Sequence, residues 1–435
     1  MYTSYIGLKF LAHYNQVTGN QYDAATFFDQ VMFPVFFDNP RHLMHVSNSP
    51  FFQNPAAARI QTSGLTKSRL QYQDLVTKIS KVAADPPEPP DASIYVGYAA
   101  NGPDQTTAGQ VTSLGLSITA DDIYASWIGN ALAARVEGSQ CLLFERMDIC
   151  WHIYQGWQVY RDYISPVAGM EGRQIETWNG YWLASGDTNT NPNPPIKNGK
   201  LDTVSWVEVL AKLTEWHPDE ILPAYIFSLG QTNTTYGFIN LHLHQIQRMK
   251  EAKFELKRRL MDDNGNDLFW KTYASSYSLY TACQQGEIGL RALKPRDFAK
   301  LMEGPFTPLK INPKNQNSFF HIQVWIIAML NNKTELQVLA AALAAELVAA
   351  ESTGPGAKRG KTSDSAEAKA LFDAKGLVKF IEALTEFIDN RTSHTTLEVI
   401  RQVVDQSIRI PAEQFPLFKA LIRFEYIMAK NTQPA

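Results

Sequence analysis

From Asp202 to the end of the chain, apolar residues recur at helical spacing in one segment after another. The pattern predicts helices over Asp202–Glu215, Asp219–Leu229, Ile239–Asp263, Asp267–Gln284 and Pro295–Met302. It continues through Ser318–Leu330, Thr334–Glu351, Ser365–Asp389, Thr396–Ile408 and Glu413–Lys430, with a flexible basic link at Ser352–Ser363. Short connections between amphipathic helices impose antiparallel packing, so residues 315–435 are expected to form a helical bundle.

The first half reads differently. At 435 residues the chain exceeds what one core usually supports. Three segments are expected: an aromatic-rich N-terminal region over 1–90, a mixed α/β middle region over 91–314 with loops and a basic helix, and the C-terminal bundle over 315–435. Asp23 is placed to cap a helix ending near Pro34, Asn48–Pro55 reads as a loop, and Ala56–Ala83 as a helix. Four prolines among acids at Asp85–Asp91 mark a rigid turn or linker. Strands are expected at Ser93–Ala99, Gln110–Ile118 and Cys141–Glu145, and helices at Asp121–Arg135 and Asp148–Ile164. Arg173–Leu183 alternates enough to suggest a hairpin around Asn179 and Gly180, and Ser185–Lys200 is a loop with a second tight turn at Asn198 and Gly199. A sixteen-residue insertion of this kind is often functional; the plainer alternative is a disordered surface excursion. The fold class implied is α+β and helix-dominated, with a small β-sheet in the mixed part and an α-helical bundle at the C-terminus.

The formal charge of −3 conceals an uneven distribution. Residues 241–314 carry thirteen basic side chains against eight acidic, whereas 101–240 carry seven against fifteen. Within the basic block, about 100° per residue puts Lys250, Lys253 and Lys257 in an arc roughly 60° wide. A lysine stripe with no acid inside it is a candidate track for a phosphate backbone. The plainer alternative is a surface helix whose lysine stems cover apolar neighbours.

The search for chemistry is mostly negative. The chain has no phosphate-binding glycine loop, no serine-hydrolase elbow and no zinc-protease helix motif, so no cofactor or metal is expected. Asp38, His42 and His45 have a spacing a metal site could use, as do His242 and His244, but a third or fourth ligand is not identified. Asp121 and Asp122 suit a helix cap better than a magnesium site. Cys141, Cys150 and Cys283 lack metal-ligand spacing and suit buried thiols in a reducing compartment. Without a signal segment or an eighteen-residue apolar run, the expectation is a cytoplasmic, soluble non-enzyme.

The order of an aromatic-rich start, a mixed middle, a basic helix and a helical bundle, together with Tyr5-Ile6-Gly7, Asn48–Gln53 and Arg173–Leu183, resembles the large subunit of a type I CRISPR surveillance (Cascade) complex. The resemblance covers the architecture of the whole chain and implies a role in antiviral defence. It implies binding to a crRNA-guided multi-subunit complex, recognition of the protospacer-adjacent motif in double-stranded target DNA, and recruitment of a helicase-nuclease or transposition partner. It also implies that the C-terminal bundle supports the opened strands of the R-loop, the displaced strand included. Base pairing by the guide would read the sequence, leaving the protein a few base pairs and the backbone. Amide side chains on loops reach base edges and lysines neutralise phosphate. On that basis Gln174, Asn179, Lys197, Asn198 and Lys200 are candidate contacts, with Asn48 and Gln53 beside them, and Lys250, Lys253 and Lys257 would hold duplex or displaced strand. Two rivals stand: a metal-dependent nuclease or hydrolase using Asp38, His42 and His45, and a helical scaffold that touches no nucleic acid.

Overall fold

The computed structural model describes residues 2–44, 49–84, 88, 90, 93–97, 111, 117–167, 169–185, 194, 196–228, 236–256, 269–270, 287–306, 310–312, 314–353, 366–389 and 394–432. It is an α+β, helix-dominated protein that divides into two compact units, Met1–Leu243 with Ala274–Ile288, and His244–Tyr273 with Gly289–Ala435.

In the first unit, helix α1 (Tyr2–Thr18) is followed by the short helices α2 (Ala24–Phe27) and α3 (Phe33–Phe36), joined by a π-helical turn at Phe28–Met32. Asp23 caps α2, accepting from the Thr26 amide at 2.7 Å as its sequence position predicts, but helical structure continues past Pro34 to Phe36. The helix expected over Ala56–Ala83 is two, α4 (Ala57–Ser63) and α5 (Lys67–Val82), because Gly64 turns left-handed and Thr66 restarts the chain as an N-cap. Next come α6 (Ala120–Ala131), β1 (Ala134–Val136), β2 (Gln140–Phe144), α7 (Met147–Ile164) and α8 (Ile175–Ser185). The hairpin β3 (Ile196–Lys197) and β4 (Lys200–Leu201) leads to α9 (Trp206–Leu213), β5 (Ile221–Ser228) and β6 (Tyr236–His242). The sheet runs β1-β2-β5-β6 antiparallel, and β7 (Glu287–Ile288) adds to β6 in parallel.

Glycine sets the closest approach in this unit. A Cβ on Gly7 of α1 would stand 1.9 Å from the Ala125 carbonyl oxygen, and one on Gly129 of α6 would stand 2.0 Å from that of Thr3. The two backbones are therefore in direct contact. The same helices are pinned by Ser4 Oγ, which donates to the Asp122 carbonyl at 2.6 Å. Asp122 itself closes a capping box with Thr119, the structural role the sequence suggested.

The second unit begins in α10 (Leu243–Glu255) and contains α11 (Gln316–Met329), α12 (Thr334–Thr353), α13 (Ala366–Asp373), α14 (Gly376–Asp389), α15 (His394–Arg409) and α16 (Phe415–Thr432). Helix α16 packs against α11, α12 and α13, and α15 packs against α12 and α14. Lys419 of α16 donates to the carbonyls of Phe372 and Ala374 at the end of α13, satisfying groups a helix C-terminus leaves open. Arg423 likewise donates to the carbonyls of Gly304 and Pro305. Among the described residues no helix is long and apolar enough to cross a membrane.

Four expectations are corrected. Asp219–Leu229 is not a helix but holds the central strand β5, whose burial alternates from Ile221 to Ile226 as a strand between two partners requires. Ile239–His242 belongs to β6, so the basic helix starts at Leu243. Ser93–Gly97 is irregular rather than a strand, and most of Gln110–Ile118 and Asp267–Gln284 lies outside the described residues, as does nearly all of the Ser352–Ser363 link. Arg173–Leu183 is not a hairpin: Ile175 onward is α8, and Gly180 is needed there because a Cβ would meet the Arg135 carbonyl oxygen at 2.4 Å.

Two outcomes follow from these contacts. Gly129→Ala should lose about 3 kcal/mol or more in denaturant unfolding, because the added methyl meets rigid backbone. Glu176 of α8 is 4% exposed, takes one hydrogen bond from Asn130, and is pushed by burial from its ordinary 4.5 up to about 7. Because the folded value is the higher, its contribution to stability is complete below pH 4.5 and is lost as pH rises to 7, a change of about 3 kcal/mol. The stability difference between Glu176→Gln and the parent chain should therefore shift in favour of the variant across that window.

Candidate nucleic-acid interface

Residues 169–174 lead into α8 as an irregular segment, with positive φ at Gly169 and Arg173, and two sites grow from its two sides. On one side stands the β3–β4 hairpin, in register Ile196 with Leu201 and Lys197 with Lys200. Its turn residues both adopt positive φ, 52° at Asn198 and 76° at Gly199, as a two-residue turn between twisted strands demands. Lys197, Asn198 and Lys200 are exposed.

The hairpin is braced at its base. The Glu171 amide donates to the Gly199 carbonyl at 2.8 Å, and the Leu201 amide donates to Gln174 Oε1 at 2.7 Å, while Gln174 Nε2 donates to the Glu171 carbonyl. A Cβ on Gly199 would stand 2.4 Å from the Gly169 carbonyl oxygen, so the turn lies directly on the segment beneath it. Lys200 pairs with Glu171 at 3.4 Å, both exposed, an ion pair weak enough to exchange for another anion.

On the other side the segment meets residues 38–42. Arg173 and Ile175 donate their amides to the carbonyls of His42 and Leu43. The Arg173 guanidinium lies 4.0 Å from the Phe52 ring centre, a cation–π contact. Residues 35–42 are held by Arg161 of α7, which donates to the carbonyls of Val35 (2.7 Å), Arg41 (2.9 Å) and Phe36 (3.3 Å). Burial pushes the Arg161 guanidinium down to about 10, which leaves it charged at neutral pH. His42 is pushed down to about 4, first by burial and then by the positive charges of Arg173, Lys67 and Arg161, so its imidazole is neutral.

The structure thus sorts the expected contacts. Lys197, Asn198 and Lys200 share one exposed turn. Gln174 braces that turn rather than projecting from it. Asn179 is a correction: it is fully buried in α8, and its amide donates to the carbonyls of Ala131 and Ala133, which the end of α6 would otherwise leave unpaired. Gln53 is exposed, with its carbonyl accepting from Gln71; Asn48 and Lys257 lie outside the described residues. In the second unit the described part of the lysine stripe, Lys250 and Lys253, is not an open ridge. Lys250 is half-buried, and the Lys253 ammonium stands 4.6 Å over Phe269 and 5.6 Å over Trp270, drawn to the ring faces. Arg161, Arg173 and Lys67 were missed by sequence reasoning; the one available signal was Thr66, a cap residue that announces the helix start beside Lys67.

Among the described residues no three His, Cys, Asp or Glu side chains converge as a metal site, and His45 lies outside them. No family model matches the chain, and no curated protein is significantly similar to it.

Removing the Arg161 donors should unfasten the wall they hold. Arg161→Met, close in length but without donors, leaves the Val35 and Arg41 carbonyls without a donor, while that of Phe36 keeps the Leu43 amide, and is expected to cost about 3 kcal/mol in thermal or denaturant unfolding.

Proposed function

We propose that this chain is the non-catalytic large subunit of a crRNA-guided type I CRISPR effector complex, reading the protospacer-adjacent motif in duplex DNA and stabilising the R-loop. The observation that carries the reading is the exposed Lys197-Asn198-Gly199-Lys200 turn on a braced base. A two-stranded ribbon fits the major groove, where an asparagine amide pairs with adenine N6 and N7. Lysines on either side meet phosphates without sequence preference and set the register. The hydrogen bonds that the Gly199 carbonyl accepts from Glu171 and the Leu201 amide donates to Gln174 fix the finger before contact, so little ordering entropy is lost on binding. A guide RNA supplies the remaining specificity, so a reader this small suffices. The helicase-nuclease or transposition partner that the resemblance implies belongs to the same proposal, as does a cytoplasmic location.

The test is fluorescence anisotropy of labelled duplexes against salt. Lys197→Ala with Asn198→Ala and Lys200→Ala should weaken binding at least tenfold and make the salt slope shallower by about two, one unit per lost phosphate contact. Asn198→Ala alone should flatten preference among short motifs while leaving the slope unchanged. Equal affinity and slope in the triple variant would overturn the assignment.

A further inference from the structure

A cleft of about 500 Å³ opens where residues 38–42, 51–54 and the start of α5 meet Arg173. Its charges are unbalanced. Among the described residues neither Lys67 nor Arg173 pairs with a carboxylate, although Asp38 also lines the cleft. Lys67 is exposed, and its ammonium is steadied by one hydrogen bond to Asn54 Oδ1 at 2.6 Å, leaving two N–H donors. It sits in the first turn of the sixteen-residue helix α5, where unpaired amides and the helix dipole already favour an anion.

The rest of the lining is built for something flat. The Arg173 guanidinium lies over Phe52, and guanidinium planes stack on nucleobases. His42 is 9% exposed, wedged edge-on against the rings of Phe37, Phe51 and Phe52, and neither ring nitrogen has a hydrogen-bond partner among the described residues. Gln71 is 1% exposed; its Nε2 is fixed by the carbonyls of Phe51 and Gln53, while its Oε1 has no partner. Buried polar groups are normally satisfied, and the unpaired Gln71 amide oxygen lies sealed behind the cleft wall, whereas the His42 imidazole at the wall offers one donor and one acceptor to the polar edge of a bound group. A simple anion would satisfy Lys67 and leave the imidazole unpaired.

We propose that this cleft binds a nucleoside 5′-phosphate: the phosphate at Lys67 and the first turn of α5, the base stacked on Arg173 with its polar edge toward His42. The proposal stands apart from the duplex-reading role of the hairpin, because a mononucleotide needs neither a groove nor the turn at Asn198. The same chemistry comes either as a free nucleotide or as the 5′-phosphorylated end of a strand.

Isothermal titration of the full chain with AMP tests it. AMP should bind saturably, with adenosine and inorganic phosphate each at least tenfold weaker. Lys67→Ala should weaken AMP at least tenfold and leave adenosine unchanged, whereas Arg173→Ala should weaken both; Lys67→Arg should retain AMP binding. Both positions are exposed, and melting curves would verify that the variants fold. A 5′-phosphorylated dinucleotide that matches AMP identifies a strand end, and one at least tenfold weaker identifies the free nucleotide. No saturable AMP binding, or AMP affinity in Lys67→Ala and Arg173→Ala equal to that of the parent chain, would overturn the proposal.

Discussion

The guanidinium of Arg161 holds together the surface on which the functional reading rests. It lies in α7, buried, and its donors meet the carbonyls of Val35, Phe36 and Arg41. A planar fork of five donors suits this task, since one rigid group fixes three carbonyls at once; a lysine would offer a single rotating point. Arg41 extends the effect by donating to the carbonyls of Ser165 and Val167. With residues 35–43 fixed, Arg173 and Ile175 have edges on which to hydrogen-bond, and the segment from Gly169 to Gln174 is held from both sides.

That segment explains why a finger and a cleft occur together. Glu171 and Gln174 turn toward the β3–β4 hairpin, whereas Arg173, between them, turns toward Phe52. Arg173 takes a φ of 67° to do so, a conformation rare for a side chain of this size. Gly172 has no room for a Cβ, which would stand 2.5 Å from the His42 carbonyl oxygen. Local backbone strain of this kind persists only where neighbours over-determine it, as the paired amides here do.

The sequence was legible where local chemistry decided the outcome. Most bundle helices, the Asp23 cap, the opening of α6 at Asp121 and Asp122 and the Asn198-Gly199 turn follow from periodicity, capping and positive φ, although the single helix expected over Ser365–Asp389 is two, broken before Gly376. It was illegible where packing overrode a local signal. Asn179-Gly180 carries the same dipeptide as Asn198-Gly199, yet it lies mid-helix, the asparagine pairing two carbonyls at the end of α6 and the glycine admitting the Arg135 backbone. Ile221–Ser228 has an apolar content that fits helix or strand, and pairing on both sides selects the strand. Of the candidate contacts, the exposed turn was readable because its chemistry is local. Arg173, Lys67, His42 and Gln71 meet only through the tertiary fold.

The aromatic interior of the first unit has an optical consequence. Seven of the nine tryptophans, Trp127, Trp151, Trp157, Trp178, Trp182, Trp206 and Trp216, fall in that unit, and Trp178 lies near-parallel to both Tyr160 and Trp182. The second unit holds Trp270 and Trp325. Intrinsic emission and near-ultraviolet dichroism of the whole chain are therefore dominated by the mixed unit, and melting of the bundle is registered chiefly in the far-ultraviolet helical signal.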